Sequence, residues 1–214
     1  MTVIAVTARK GGVGKSTITG NLAAELYEMG YSILVLDADP QQSLTKWARL
    51  GQSFLSVVSE VADTTHPQRF KDLVTASQKR AQVILIDTPP AYADAALLSA
   101  LVADIVLLPC GPSPLDIMEA KDTLELIRDA RTNRGGKKPL IRFVPSKMIN
   151  RAGLSNDLPK TLADLGEKVL PGIYQRTVIA EATIEGKTVP EYARSSPAQA
   201  EFLALAKAVK ELIK

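Results

Sequence analysis

Ala8-Arg9-Lys10-Gly11-Gly12-Val13-Gly14-Lys15-Ser16-Thr17 is the stretch that decides the fold. An apolar run, Val3-Ile4-Ala5-Val6, leads into it, and a helical pattern over residues 18–29 leads out. Strand, glycine-rich loop and helix in that order form a phosphate site. The glycines let the backbone curl with its N–H groups turned inward. The N-terminus of the following helix adds unpaired donors and a positive dipole end. Lys15 is spaced to reach β- and γ-phosphate oxygens, and the Ser16 hydroxyl to ligate Mg²⁺. A glycine-rich turn before an ordinary helix is the competing reading. Gly-Lys-Ser-Thr directly after an apolar strand argues against it.

Two further strands end in carboxylates. Ser32-Ile33-Leu34-Val35-Leu36 is short and continuously apolar, as a buried strand should be, and runs into Asp37-Ala38-Asp39-Pro40-Gln41. Gln82-Val83-Ile84-Leu85-Ile86 ends in Asp87, a carboxylate placed to hold Mg²⁺ directly or through water. Carboxyl ends of parallel strands are where open α/β sheets bind ligands. Helical patterns cover residues 43–50, 93–102, 117–131, 154–165 and 198–213. Residues 55–61, 105–108, 140–145 and 168–170 read as strands.

The loop departs from G-x-x-x-x-G-K-[ST] in one respect. Arg9 stands where the first glycine would fall, and Lys10 precedes the glycine pair. In this it resembles the deviant Walker A loop, K-G-G-x-G-K-[ST], of the ParA/MinD family of ATPases. Asp37 to Gln41 resembles that family's D-x-D-P-Q signature, and Ile173 to Thr177 the I-x-Q-R segment of its short, ParF-like plasmid-partition branch. The resemblance implies one doubly wound, mostly parallel α/β sheet flanked by helices over residues 1–214, with ATP and Mg²⁺ as cofactors. It places ATP on Lys10, Gly11, Gly12, Val13, Gly14, Lys15, Ser16 and Thr17, with Lys147 and Met148 at the adenine. It gives the metal Ser16, Asp87 and, directly or through waters, Asp37. Lys10, Lys15 and Asp39 become catalytic: Asp39 orients the attacking water, and Lys10 reaches across a dimer interface to the partner's phosphates. Thr88-Pro89-Pro90 resembles the switch segment that senses the γ-phosphate.

The chain has 214 residues, 46% of them hydrophobic, enough for one α/β domain with a sizeable core. Its net charge of +3 permits nucleic-acid binding without arguing for it. One cysteine, Cys110, excludes an internal disulfide and reads as a core residue in a reducing compartment. His66 beside Pro67 reads as a loop residue. No secretory signal or membrane-spanning stretch is visible, so a cytoplasmic protein is expected, and the resemblance implies association with the nucleoid. Arg128, Arg131, Arg134, Lys137 and Lys138 read as a solvated loop, with DNA contact there the lesser reading. Lys147, Arg151, Arg176, Lys187 and Arg194 are the candidates for a DNA surface. The last helix, with Lys207, Lys210 and Lys214 as its cations, reads as packing against the sheet rather than binding a membrane.

The function expected from the resemblance is an ATP-dependent homodimer that binds DNA without sequence preference. A centromere- or cargo-binding partner protein would stimulate hydrolysis, moving plasmid or chromosome. A MinD-like membrane-cycling regulator, ParA-like positioning of a non-DNA cargo, and a metabolic P-loop enzyme are the alternatives.

Overall fold

The structure is a computed structural model that describes residues 1–90 and 93–213. β1 (Thr2–Val6) leads through the glycine loop to α1 (Lys15–Glu28) and β2 (Ile33–Asp37). Then come α2 (Ser43–Leu50), α3 (Phe54–Val58), β3 (Ser59–Val61), α4 (Pro67–Ser77) and β4 (Val83–Asp87). α5 (Ala93–Val102), β5 (Ile105–Cys110), α6 (Pro114–Asn133) and β6 (Leu140–Pro145) continue the alternation. Last are α7 (Gly153–Ala163), β7 (Lys168–Val169), α8 (Thr177–Ile184), α9 (Val189–Tyr192) and α10 (Pro197–Lys210). The strands form one parallel sheet in the order β3-β2-β4-β1-β5-β6-β7, the doubly wound arrangement the sequence predicts.

Strands buried on both faces explain the unbroken apolar runs. Along β1, Val3 and Ala5 enter one layer with Phe70, Ile86 and Leu124, while Ile4 and Val6 enter the other with Leu22, Trp47 and Phe202. α10 belongs to that second layer. Phe202, Leu205 and Val209 are fully buried, and Leu212 and Ile213 pack partly buried against the same cluster. Its apolar stripe is therefore used internally, as the sequence reading has it; Lys214 lies outside the described residues. Cys110 is buried at the end of β5, and burial pushes its thiol up to about 12.

Three local readings change. Residues 54–58 are helical rather than part of a strand. Leu55 is fully buried, Phe54 stacks on Tyr27 of α1 at 4.4 Å, and only residues 59–61 pair with β2. β5 runs on through Pro109 to Cys110; β1 has already left the sheet beyond Leu107, so the missing proline N–H breaks no ladder bond. The basic stretch is a solvated loop only in part: residues 135–138 are exposed, but most of its cations are held by partners. Arg128 and Arg131 bind Glu167 at 3.2 and 2.9 Å, and Lys138 pairs with Asp104. Arg134 donates to the Ala100 and Ala103 carbonyls at 2.8 and 2.6 Å, closing the exposed end of α5. These side chains bind α5 and the turns beside β5 and β7, which engages most of that stretch's cations within the fold.

Candidate functional site

Val6 pairs with Asp87 and Asp87 with Asp37, so the loop after β1 leaves the sheet beside both carboxylates. Gly12 and Gly14 take φ of 76° and 94°, left-handed values that side chains avoid. α1 starts at Lys15 with no side-chain cap and no acid in its first turn. Its leading N–H groups and positive dipole end are thus left for an anion.

Lys15 is 6% exposed, and its Nζ donates to the Lys10 carbonyl at 3.2 Å. Burial lowers its pKa, opposed by the charges of Asp87 and Asp39. Asp87 is fully buried. Thr19 Oγ1 donates to its Oδ1 at 3.4 Å, and its Oδ2 has no partner among the described residues. Burial pushes the Asp87 carboxyl up to about 7; Asp37 and Asp39 add to this, while the Ser16 hydroxyl and Lys15 oppose it. An orphaned, buried carboxylate oxygen beside a hydroxyl suits a hard cation with oxygen ligands. Among the described residues no group of three metal-ligating side chains occurs. Ser16 and Asp87 would supply the protein ligands, leaving the other positions to phosphate oxygens and water.

Asp39 is 8% exposed, and its Oδ1 accepts from the Gln41 N–H at 2.8 Å. Asp37, expected at the metal directly or through waters, is held by the protein. It is fully buried and accepts from Thr45 N–H and Oγ1 at 2.8 Å each, and from Asp39 N–H at 3.2 Å. Direct metal ligation would cost these bonds, so the geometry makes Asp37 the brace that fixes α2 and the Asp39 turn. Burial raises its pKa, opposed by the Thr45 bonds. Thr19, Thr45 and the Asp116 partner of Lys10 are missed by the sequence reading. Thr19 follows Lys15 by one helical turn, which is the signal that could have found it.

Beside the loop lies a cavity of about 890 Å³ with Val13, Gly14, Thr17, Lys147, Tyr174 and Arg176 on its walls. Ser146 also lines it, 2% exposed, with a hydroxyl that has no partner among the described residues. Lys147 is on the wall as expected, but Met148 is not. Its side chain is buried in the core, its N–H donates to Ile173 O, and its carbonyl accepts from Gln175 N.

The five DNA candidates sit in different local settings. Arg176 is held by Glu201 at 2.9 and 2.6 Å and lies 5.7 Å from the Tyr174 ring centroid. Arg194 pairs with Glu28 at 3.2 Å, at the far end of α1. α1 has 14 residues and so separates that pair from the glycine loop by about 21 Å. Lys187 is exposed beside Trp47, whose Nε1 donates to the Lys187 carbonyl at 3.2 Å. Lys147 and Arg151 are exposed near one another in the chain and carry no ion pair among the described residues.

A parallel sheet whose central strand opens into a glycine loop, with a lysine, a hydroxyl and a buried carboxylate around a bare helix N-terminus, defines a P-loop nucleotide-binding protein. The CobQ/CobB/MinD/ParA nucleotide binding domain matches residues 4–189, and the chain belongs to that family. The maintenance of carboxysome distribution protein A of Halothiobacillus neapolitanus is 32% identical over 189 residues, covering 87% of this chain and 85% of that protein. The chromosome-partitioning ATPase Soj of Thermus thermophilus is 27% identical over 234 residues, covering 96% and 94%. The MinC:MinD cell division protein complex of Aquifex aeolicus superposes with a TM-score of 0.82 at 17% identity, covering 99% of this chain and 96% of that one, a likeness of fold. No helix of the described residues is long and apolar enough to cross a membrane.

Proposed function

We propose that the chain is a Mg²⁺-dependent ATPase of ParA type, acting as one domain, that dimerises on ATP and positions a cargo through partner-stimulated hydrolysis. One observation carries this reading: Lys15, Ser16 and the orphaned Asp87 oxygen converge on the open N-terminus of α1. Mg²⁺, when bound, would neutralise phosphate charge during transfer. Lys15 and the loop N–H groups hold the phosphates, Ser16 and Asp87 hold the metal, and Asp39 orients water. Asp37 keeps the Asp39 turn in place. The adenine occupies the cavity beside Val13 and Tyr174, where the Ser146 hydroxyl is available to it. Lys10 acts on the phosphates of the second subunit.

ATP-state dimers would bind DNA without sequence preference, chiefly through Lys147 and Arg151. Release after hydrolysis returns the protein to solution, which is the basis of cargo movement over a nucleoid. The name of the Halothiobacillus relative favours a second reading of the cargo, a protein assembly rather than a plasmid or chromosome. The apolar stripe of α10 packs in the core, which speaks against that stripe as a membrane-binding face. Light scattering with ATP, ADP and no nucleotide tests the cycle: a dimer is expected in ATP alone. Affinity capture on the ATP-locked dimer then separates a DNA-bound adaptor from an assembly-bound one.

A further inference from the structure

The two cations at the outer edge of the glycine loop lean on one helix. The Lys10 ammonium is ion-paired with Asp116 in the first turn of α6, and Arg9 lies 3.8 Å from Asp122 of the same helix. Asp116 is fixed in turn: its N–H donates to Ser113 Oγ at 3.1 Å, and Pro114 opens the helix. A Cβ at Gly111 would overlap the Asp116 carboxylate, so the glycine leaves room for it. Lys10 is tied at its other end too, its carbonyl accepting from Lys15 Nζ at 3.2 Å. The Lys10 and Asp116 side chains are 37% and 14% exposed, so solvent screens the pair only in part.

We propose that Asp116 is a latch, a positioning residue that holds Lys10 within its own subunit until the second subunit arrives. This rests on the role of Lys10 across the interface proposed above. One ammonium cannot neutralise Asp116 and serve the partner's phosphates at once. Phosphates that draw Lys15 away from the Lys10 carbonyl loosen one tie, and the partner's phosphates compete with Asp116 for the other. A two-fold dimer opens two latches, so the cis pair opposes dimerisation twice.

The test is the dimer dissociation constant, by sedimentation, with a non-hydrolysable ATP analogue and Mg²⁺. Asp116→Asn should tighten the dimer on the order of tenfold, a few-fold from each partly exposed pair. Asp116→Glu, which restores the charge, should behave as wild type. Loss of a merely structural acid at the start of α6 would weaken the dimer or leave it alone, not tighten it. Asp116→Ser keeps a polar first-turn side chain and should give the same sign as Asn if that variant folds poorly. An Asn or Ser variant with a wild-type or weaker dimer overturns the latch and leaves the ATPase reading standing. A wild-type chain that stays monomeric in the analogue instead sinks the trans role of Lys10, and the latch with it.

Discussion

At the site, the proposed mechanism gives Lys15 and Asp39 separable duties. Lys15 is the buried cation facing the phosphate position, so Lys15→Ala should weaken ATP binding by at least about 100-fold, the scale of a lost charge-assisted contact. Fluorescent-nucleotide titration reads this directly; wild-type affinity in the variant would refute the phosphate assignment. The Asp39 carboxylate accepts from the Gln41 N–H, and its charge acts on Lys15. Asp39→Ala should still bind ATP and dimerise, while turnover falls on the order of 100-fold or more because the water loses its orienting acceptor. Asp39→Ala protein that fails to dimerise in ATP would count against the scheme. Arg176, by contrast, is a poor probe of DNA contact, since a charge reversal would break its bonds to Glu201 before it touched any phosphate.

Helices rather than strands account for what the sequence left unread. The buried strands, the glycine loop and the helix at residues 43–50 were legible because each is a local signal: an apolar run, a phosphate-loop spacing, a helical period. The bonds from Thr45 to Asp37 were not legible because Thr45 lies in the first turn of α2, a contact that strand-end reasoning does not see. Arg134 and Glu167 were unreadable because the carbonyls and guanidiniums they meet are 30 or more residues away in the chain. The packing of α10 on α1 contains a similar distant contact: Glu25 of α1 is 2% exposed and accepts from Gln199 Nε2 at 2.9 Å. Burial raises its pKa; the Gln199 bond opposes this, the Glu28 charge adds to it, and Arg194 and Lys207 oppose it. The folded state then keeps a proton that the unfolded chain has already lost. Stability from this group is full at acid pH and falls as pH rises from the ordinary glutamate range through the raised value. Glu25→Gln preserves the Gln199 contact and removes the titration. It should melt above wild type at pH 8 and converge with it near pH 4, by calorimetry; parallel curves would contradict the assignment.

For the molecule as a whole, the proposed DNA binding would depend on doubling. One subunit offers Lys147 and Arg151, too few phosphate contacts to hold DNA at cellular salt, and a dimer offers about four. The log–log salt slope in ATP should be roughly −3 to −4, a loss on the order of 100-fold between about 50 and 200 mM salt. Arg151→Glu, at a position off the cavity wall, should weaken all duplexes alike while the ATP dimer persists. Anisotropy on random duplexes measures both; equal binding in ADP and ATP would remove the cycle. Cys110 adds a practical dividend. Its thiol is fully buried, pushed up to about 12, and the only one in the sequence. Thiolate-selective reagents should pass it by. Leu115 and Met118, 65% and 64% exposed near the Lys10–Asp116 pair, can therefore each be replaced by cysteine without first deleting a native one. A single fluorophore or spin label there would report subunit encounter in real time from an otherwise unaltered chain.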